Sequence, residues 1–192
     1  MTRDAQLGDE QLVRRAAAGE RAAFDVIVQR HKGTIFGFVR RYIGDADEAY
    51  DILQDAFVSA WLALPKFDLT RPFLPWLRTI ALNKCRDHGR RAMVRRILLR
   101  AKAQDPTEEQ AIRPDSNDEG DARLDARLQR LDRAILSLPA FYREPLLLTA
   151  VSGLSHAEVA VMLKTTVKAV EMRVRRARQR LAAELGEAEP EG

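Results

Sequence analysis

The chain has 192 residues, 31% of them charged, and 32 Lys and Arg against 28 Asp and Glu leave a formal charge of +4. Its single cysteine, Cys85, excludes an internal disulfide and points to a reducing compartment, and His31, His88 and His156 lie too far apart, with no Cys/His pair near them, to make a zinc motif. No apolar run approaches the roughly 20 residues that cross a bilayer, and the N-terminal MTRDAQLGDEQ lacks a signal-peptide core, so a soluble, cytoplasmic chain is expected.

Leu, Ala and Arg dominate and aromatics are sparse, which favours helices. A first helix holds Leu12, Val13, Ala16 and Ala17 and ends near Gly19. A second carries Phe24, Ile27, Val28, Ile35, Phe36, Val39 and Tyr42 at 3–4 spacing and ends at Gly44. Asp45 to Glu48 form a capping pattern for a third helix, which Pro65 stops. On it Asp47, Asp51 and Asp55 stand four apart with Glu48 and Gln54 beside them, while Ile52, Ala56 and Ala60 occupy another side. Like charges at that spacing repel by a few tenths of a kcal/mol per pair. The row is either a solvated acidic face or the complement of a basic partner.

After the loop PKFDLTR, Pro72 suits the first turn of a fourth helix bearing Phe73, Trp76, Leu77, Ile80 and Ala81. Between Trp61 and Arg96 aromatics alternate with cations: Lys66, Phe67, Arg71, Trp76, Arg78, Lys84, Arg86, Arg90 and Arg91 among them. Splayed bases are held by such aromatics and their phosphates by such cations. Phe73 and Ile80 read as core at helical spacing, whereas Phe67 in the loop is under less obligation to pack inside. Asn83, Arg86, Asp87 and Arg90 make one polar stripe suited to nucleic acid.

From Ala101 to Asp125 the acids Asp105, Glu108, Glu109, Asp115, Asp118, Glu119, Asp121 and Asp125 far outnumber the cations, Arg113 and Arg123 among them, with Pro106, Pro114 and Gly120 breaking any period. This composition reads as a flexible acidic linker, either a plain tether or, as connections of that length often are, functional. Leu128, Leu131, Ile135 and Leu138 then form an amphipathic helix up to Pro139, and Phe141, Leu146, Leu147, Leu148 and Val151 form another before Gly153.

Ser155 and Glu158 make a capping box for a short helix with Val159, Met162 and Leu163. A further helix follows Lys164-Thr165-Thr166, with Val167, Val170, Val174, Ala177 and Leu181 on one face and Lys168, Arg173, Arg175, Arg176, Arg178 and Arg180 elsewhere. Few acids lace these arginines, so a major-groove reader is favoured over a solvated helix. Lys168, Glu171, Met172, Arg175 and Arg176 lie opposite the valines. Glu171 would either accept from a cytosine amine or orient Arg175. The fold expected is all-α: two small helical domains joined by a flexible acidic linker, the C-terminal one containing a helix-turn-helix.

In this order, the helix from Asp45 to Trp61, the segment from Phe73 to Asp87 followed by Arg90-Arg91, Leu138-Pro139, and the unit from Gly153 to Ala160 ending in Arg176-Ala177-Arg178 resemble bacterial RNA polymerase sigma factors of the extracytoplasmic-function group of the sigma-70 family. The resemblance spans nearly the whole chain. It implies a polymerase-binding and −10 domain over 1–97, a linker over 98–125 threading toward the RNA exit path, a −35 domain over 126–187 and a disordered tail over 188–192. Asp47, Glu48, Asp51, Gln54 and Asp55 would dock on the clamp of core RNA polymerase. Lys66, Phe67 and Arg71 would capture a flipped −10 base, flanked by Asn83, Arg86 and Arg90. Lys168, Glu171, Met172, Arg175 and Arg176 would read the −35 promoter DNA. No cofactor, metal or membrane insertion is implied, and an anti-sigma factor clamped between the domains is the expected further partner. The chain departs from the family's common glycines at Lys164 and Lys168 and from a small polar residue at Met172. A stand-alone helix-turn-helix regulator is the competing reading. An enzyme is disfavoured because no nucleophile–base pair, metal cluster or glycine-rich phosphate loop is present.

Overall fold

Apolar residues at helical spacing, punctuated by glycine, proline and capping groups, build eight helices in a computed structural model that describes residues 7–102 and 119–186. They are α1 (Asp9–Ala17), α2 (Arg21–Ile43), α3 (Ala46–Ala63), α4 (Phe73–Lys102), α5 (Glu119–Ser137), α6 (Ala140–Ala150), α7 (His156–Met162) and α8 (Val167–Leu185), with a 3-10 turn at Leu64–Lys66.

The first bundle packs α1 to α4 around Leu12, Ile27, Ile35, Phe38, Leu64, Leu77 and Leu82, all essentially inaccessible to solvent. Burying side chains of this size contributes about 1.5–3 kcal/mol each. Phe24 of α2 meets Phe57 edge-on at 6.4 Å and Trp61 at 5.0 Å, tying α2 to the far end of α3. The ends follow the expected chemistry. Gly44 closes α2 at φ 95°, and the Asp45 side chain accepts from the Glu48 N–H at 2.9 Å to open α3.

The second bundle wraps α5 to α8 around Leu147, Leu148, Val159, Val170, Val174 and Ala177. Pro145 lies inside α6 without ending it, and the Thr149 hydroxyl donates to the Pro145 carbonyl at 2.9 Å. Leu128 and Phe141, expected on apolar faces, are exposed instead. Leu128 falls outside the part of α5 that the bundle covers, and the Phe141 ring receives the Arg173 guanidinium at 3.8 Å.

Helix covers both flanks of the 98–125 segment, since α4 continues through Lys102 and α5 begins at Glu119. Residues 98–102, Leu-Leu-Arg-Ala-Lys, are strong helix formers with no breaker before Pro106. Asp105, Glu108, Glu109, Asp115 and Asp118 lie outside the described residues. No helix among the described residues is long and apolar enough to cross a membrane.

Candidate polymerase and nucleic-acid interface

Three exposed surfaces carry the residues singled out from the sequence. On α3, Asp47, Glu48, Asp51, Gln54 and Asp55 all face solvent, opposite the buried Ile52, Leu53, Ala56 and Ala60. Part of this row already has a basic neighbour. Glu48, Asp51 and Asp55 form one wall of a cleft of about 230 Å³ whose other wall, on α4, is Lys84, His88 and Arg91 together with Asp87. His88 Nε2 lies 3.6 Å from a Glu48 carboxylate oxygen. Tyr50, Val58 and Leu62 extend the exposed side of the helix with apolar surface, Leu62 being 73% accessible.

The second surface is the loop between the 3-10 turn and α4. Lys66 and Arg71 are exposed, and Phe67 is half-buried. Its ring lies 4.6 Å from Trp76 and meets Phe73 edge-on at 6.0 Å, so Phe67 is held by an aromatic cluster rather than left free. The Asp68 carboxylate accepts from the Thr70 N–H at 3.0 Å and its hydroxyl at 2.7 Å, and the Arg71 N–H donates to the Asp68 carbonyl at 3.0 Å. The Thr70 hydroxyl, and then its N–H, hold the Asp68 carboxyl below its usual range. This turn fixes one wall of a groove of about 770 Å³ formed by Phe67, Leu69, Thr70 and Arg71, with Asp9, Val13 and Arg14 of α1 opposite. The Asp-x-Thr spacing was available as a turn signal in the sequence. The contribution of α1 was not, because some 50 residues separate it from the loop.

The third surface is α8. Lys168, Glu171, Met172, Arg175 and Arg176 all point to solvent from the face opposite Val170, Val174, Ala177 and Leu181. Val167, assigned to the apolar face, is itself exposed at the first turn. The helix is held in place by its neighbours. The Ser155 N–H donates to Glu158 at 2.8 Å while the Glu158 N–H donates to the Ser155 hydroxyl at 3.2 Å, and Thr166 caps the Ala169 N–H at 3.2 Å. The Ser155 backbone and side-chain bonds hold the Glu158 carboxyl below its usual range. Two of the arginines are spoken for by packing: Arg173 over Phe141, and Arg180 over Tyr142 at 4.8 Å. Glu171 has His156 Nδ1 at 3.9 Å.

The polar stripe of α4 divides. Asn83 is exposed, and Arg90 is exposed and paired with Asp87. Arg86 instead reaches the second bundle, its Nε donating to Glu144 Oε1 at 2.8 Å and its Nη2 to Oε2 at 2.5 Å. Arg78 of α4, grouped by sequence with the phosphate-binding cations, is buried instead, within electrostatic reach of Glu158 on α7. Burial lowers its pKa against a smaller opposing pull from Glu158. Glu144 is the functional candidate that sequence reasoning missed. In Phe141-Tyr142-Arg143-Glu144 it looks like a surface residue, and nothing local marks its burial.

An arginine-faced helix-turn-helix joined to a bundle that exposes an acidic helix and an aromatic-basic loop defines a two-part transcription factor, made of binding surfaces. Comparison with known proteins agrees. Residues 27–95 match the description Sigma-70 region 2 and residues 128–181 match Sigma-70, region 4. RNA polymerase sigma factor NccH of Alcaligenes xylosoxydans xylosoxydans is 41% identical over 91% of this chain and 93% of its own length. The ECF RNA polymerase sigma-E factor of Escherichia coli is 32% identical over 91% of this chain and 92% of its own. The solved structure of the sigma factor RpoE in complex with the anti-sigma factor NepR, from Bartonella quintana, superposes with a TM-score of 0.68 at 26% identity, covering 87% of this chain and 98% of that one. The chain therefore belongs to the sigma-70 family of RNA polymerase sigma factors, in its ECF group.

Proposed function

We propose that this sigma factor reads its promoter at two separate points and that its residues divide the work as follows. The outward face of α3, with Asp47, Glu48, Asp51, Gln54 and Asp55, docks on the basic surface of the polymerase clamp. The loop carrying Lys66, Phe67 and Arg71 receives an unstacked base of the −10 element, and Asn83, Arg86 and Arg90 follow the phosphates upstream of it. Lys168, Glu171, Met172, Arg175 and Arg176 enter the major groove at −35. The bundles carrying these surfaces correspond to residues 1–97 and 126–187, and the acidic segment 98–125 runs between them toward the RNA exit path. The work is binding, with no covalent step, and its place is the cytoplasm. An anti-sigma factor is expected to hold the chain inactive, as NepR partners RpoE in the related structure.

The observation that carries this reading is the separation of faces. On both α3 and α8 every assigned contact residue is exposed while the opposite side of the helix is buried, so each surface is displayed without any change in its own bundle. The test is run-off transcription with core polymerase on a promoter mapped by transcription-start sequencing after overexpression. The chain is expected to confer initiation there while binding the same duplex only weakly alone. Tight, specific binding by the isolated chain, unchanged by polymerase, would support the stand-alone regulator instead.

A further inference from the structure

Glu144 sits at the seam between the bundles and is held by two residues of the first bundle. Arg86 of α4 binds both its carboxylate oxygens, and the Tyr42 hydroxyl of α2 donates to Oε1 at 3.1 Å. Its neighbour Arg143 lays a guanidinium 4.6 Å from the centre of the Tyr42 ring. Alongside, the Gly44 end of α2 is packed so tightly on α5 that a Cβ there would meet Leu136 Cδ1 at 2.5 Å. The carboxylate is nearly buried, with 10% of its side chain accessible, whereas 35% of the Arg86 side chain remains open. A two-pronged carboxylate on a guanidinium is the geometry in which arginine also grips a phosphate.

We propose that Glu144 is an internal stand-in for a DNA phosphate: in the free chain it occupies Arg86, closes the two bundles on each other and withholds that arginine from single-stranded DNA until the bundles part. The inference rests on the assignment of the α4 stripe to the −10 strand. The acidic face of α3 stays exposed in the closed form, so polymerase can engage the chain before the seam opens. The −10 strand then competes with Glu144 for the same guanidinium. Opening leaves a carboxylate and a tyrosine hydroxyl to be rehydrated, which water can do, so the closure is reversible.

The one cysteine reports the state of the seam. Cys85 is fully buried one residue from Arg86, and burial, opposed by the nearby Arg143 and aided by Glu144, pushes its thiol up to about 12. The experiment measures Cys85 alkylation by iodoacetamide and the affinity of the full chain for a fluorescein-labelled oligothymidylate at low salt. Glu144→Gln is expected to raise both by about tenfold, a figure discounted from a fully buried pair because Arg86 is partly exposed. Tyr42→Phe, which keeps the ring and removes one hydrogen bond, should raise both by about threefold. Arg86→Glu combined with Glu144→Arg should bring alkylation back toward the parent rate while leaving DNA affinity low. Unchanged alkylation in a folded Glu144→Gln chain overturns the latch, as does faster alkylation with unchanged DNA affinity. If Glu144→Gln does not fold, Tyr42→Phe and the charge swap decide by the same readouts. Alkylation needs neither polymerase nor promoter, so its failure leaves the sigma-factor reading standing. Loss of promoter-directed initiation with the alkylation change intact would fault that reading and spare the latch.

Discussion

Lys164 occupies the turn of the helix-turn-helix at φ 52°, the one described non-glycine residue with positive φ. Its N–H donates to the Val161 carbonyl at 3.3 Å and the next N–H, of Thr165, to Ala160 at 2.9 Å, the paired closure that ends a helix through a left-handed residue. A side chain in that conformation costs roughly 1–2 kcal/mol, while glycine loses about 0.4–1 kcal/mol through its freer unfolded chain. The first term wins. Lys164→Gly is expected to stabilise the chain by about 0.5 kcal/mol, raising the melting temperature of the second bundle by about 2–4 °C, as followed by circular dichroism. An unchanged or lower value would mean that the lysine side chain contributes a contact that offsets its strain. The departure from the family's glycine was visible in the sequence, but its backbone cost became visible only with the dihedral angle. Arg173 and Arg180 make the same point in reverse. Both belong to an evident arginine run, yet each lies over an α6 aromatic that sequence spacing cannot pair with it.

At the level of elements, α3 was the most legible part of the chain, because its cap, its acidic row and its apolar face all obey one helical period. The structure adds that Glu48, Asp51 and Asp55 border a cleft with Lys84, His88 and Arg91, which relieves part of the row's self-repulsion from within, since the one acid on that wall, Asp87, is paired with Arg90. Asp47 and Gln54 do not line that cleft and remain exposed. Asp51→Arg with Asp55→Arg reverses the face while leaving Ile52 and Ala56 in the core. The pair is expected to abolish co-elution with core polymerase and to shift the melting temperature only modestly, since new repulsion from Lys84 and Arg91 is solvent-screened. Normal co-elution would remove α3 from the clamp assignment. The ends of α4 and α5 were less legible. Acids, prolines and a glycine lower the average over 101–125, and composition averaged over such a window hides helices that run well past the core: α4 continues to Lys102 although its last buried core residue among those described is Cys85. Leu128 and Phe141 were misplaced for a related reason: periodicity says which residues share a face, not how far the neighbouring helix extends to cover it.

On the scale of the whole molecule, order along the chain revealed two bundles and their three surfaces, but not the seam. Tyr42 and Glu144 are 102 residues apart and Arg86 and Glu144 are 58 apart, and each is an unremarkable polar residue in its own segment. On the proposed assignment, the groove at Phe67 and the α8 face each offer a handful of polar side chains, too few for either to select a promoter by itself, since one mismatched base pair typically costs only about 1–3 kcal/mol. Selectivity must come from requiring both at once, with polymerase setting the distance and angle between them. Inserting 5 base pairs between −10 and −35 rotates one element by about half a helical turn relative to the other. The holoenzyme is then expected to lose about tenfold or more of its initiation rate in run-off assays, whereas the free chain's binding to the −35 duplex should not change. Inserting a full turn should not restore activity, because it returns the angle but leaves the distance wrong by about 34 Å. Restoration would mean that the two bundles follow the DNA on a compliant tether. Equal loss for the free chain would mean that the two bundles, and not the polymerase, set the spacing.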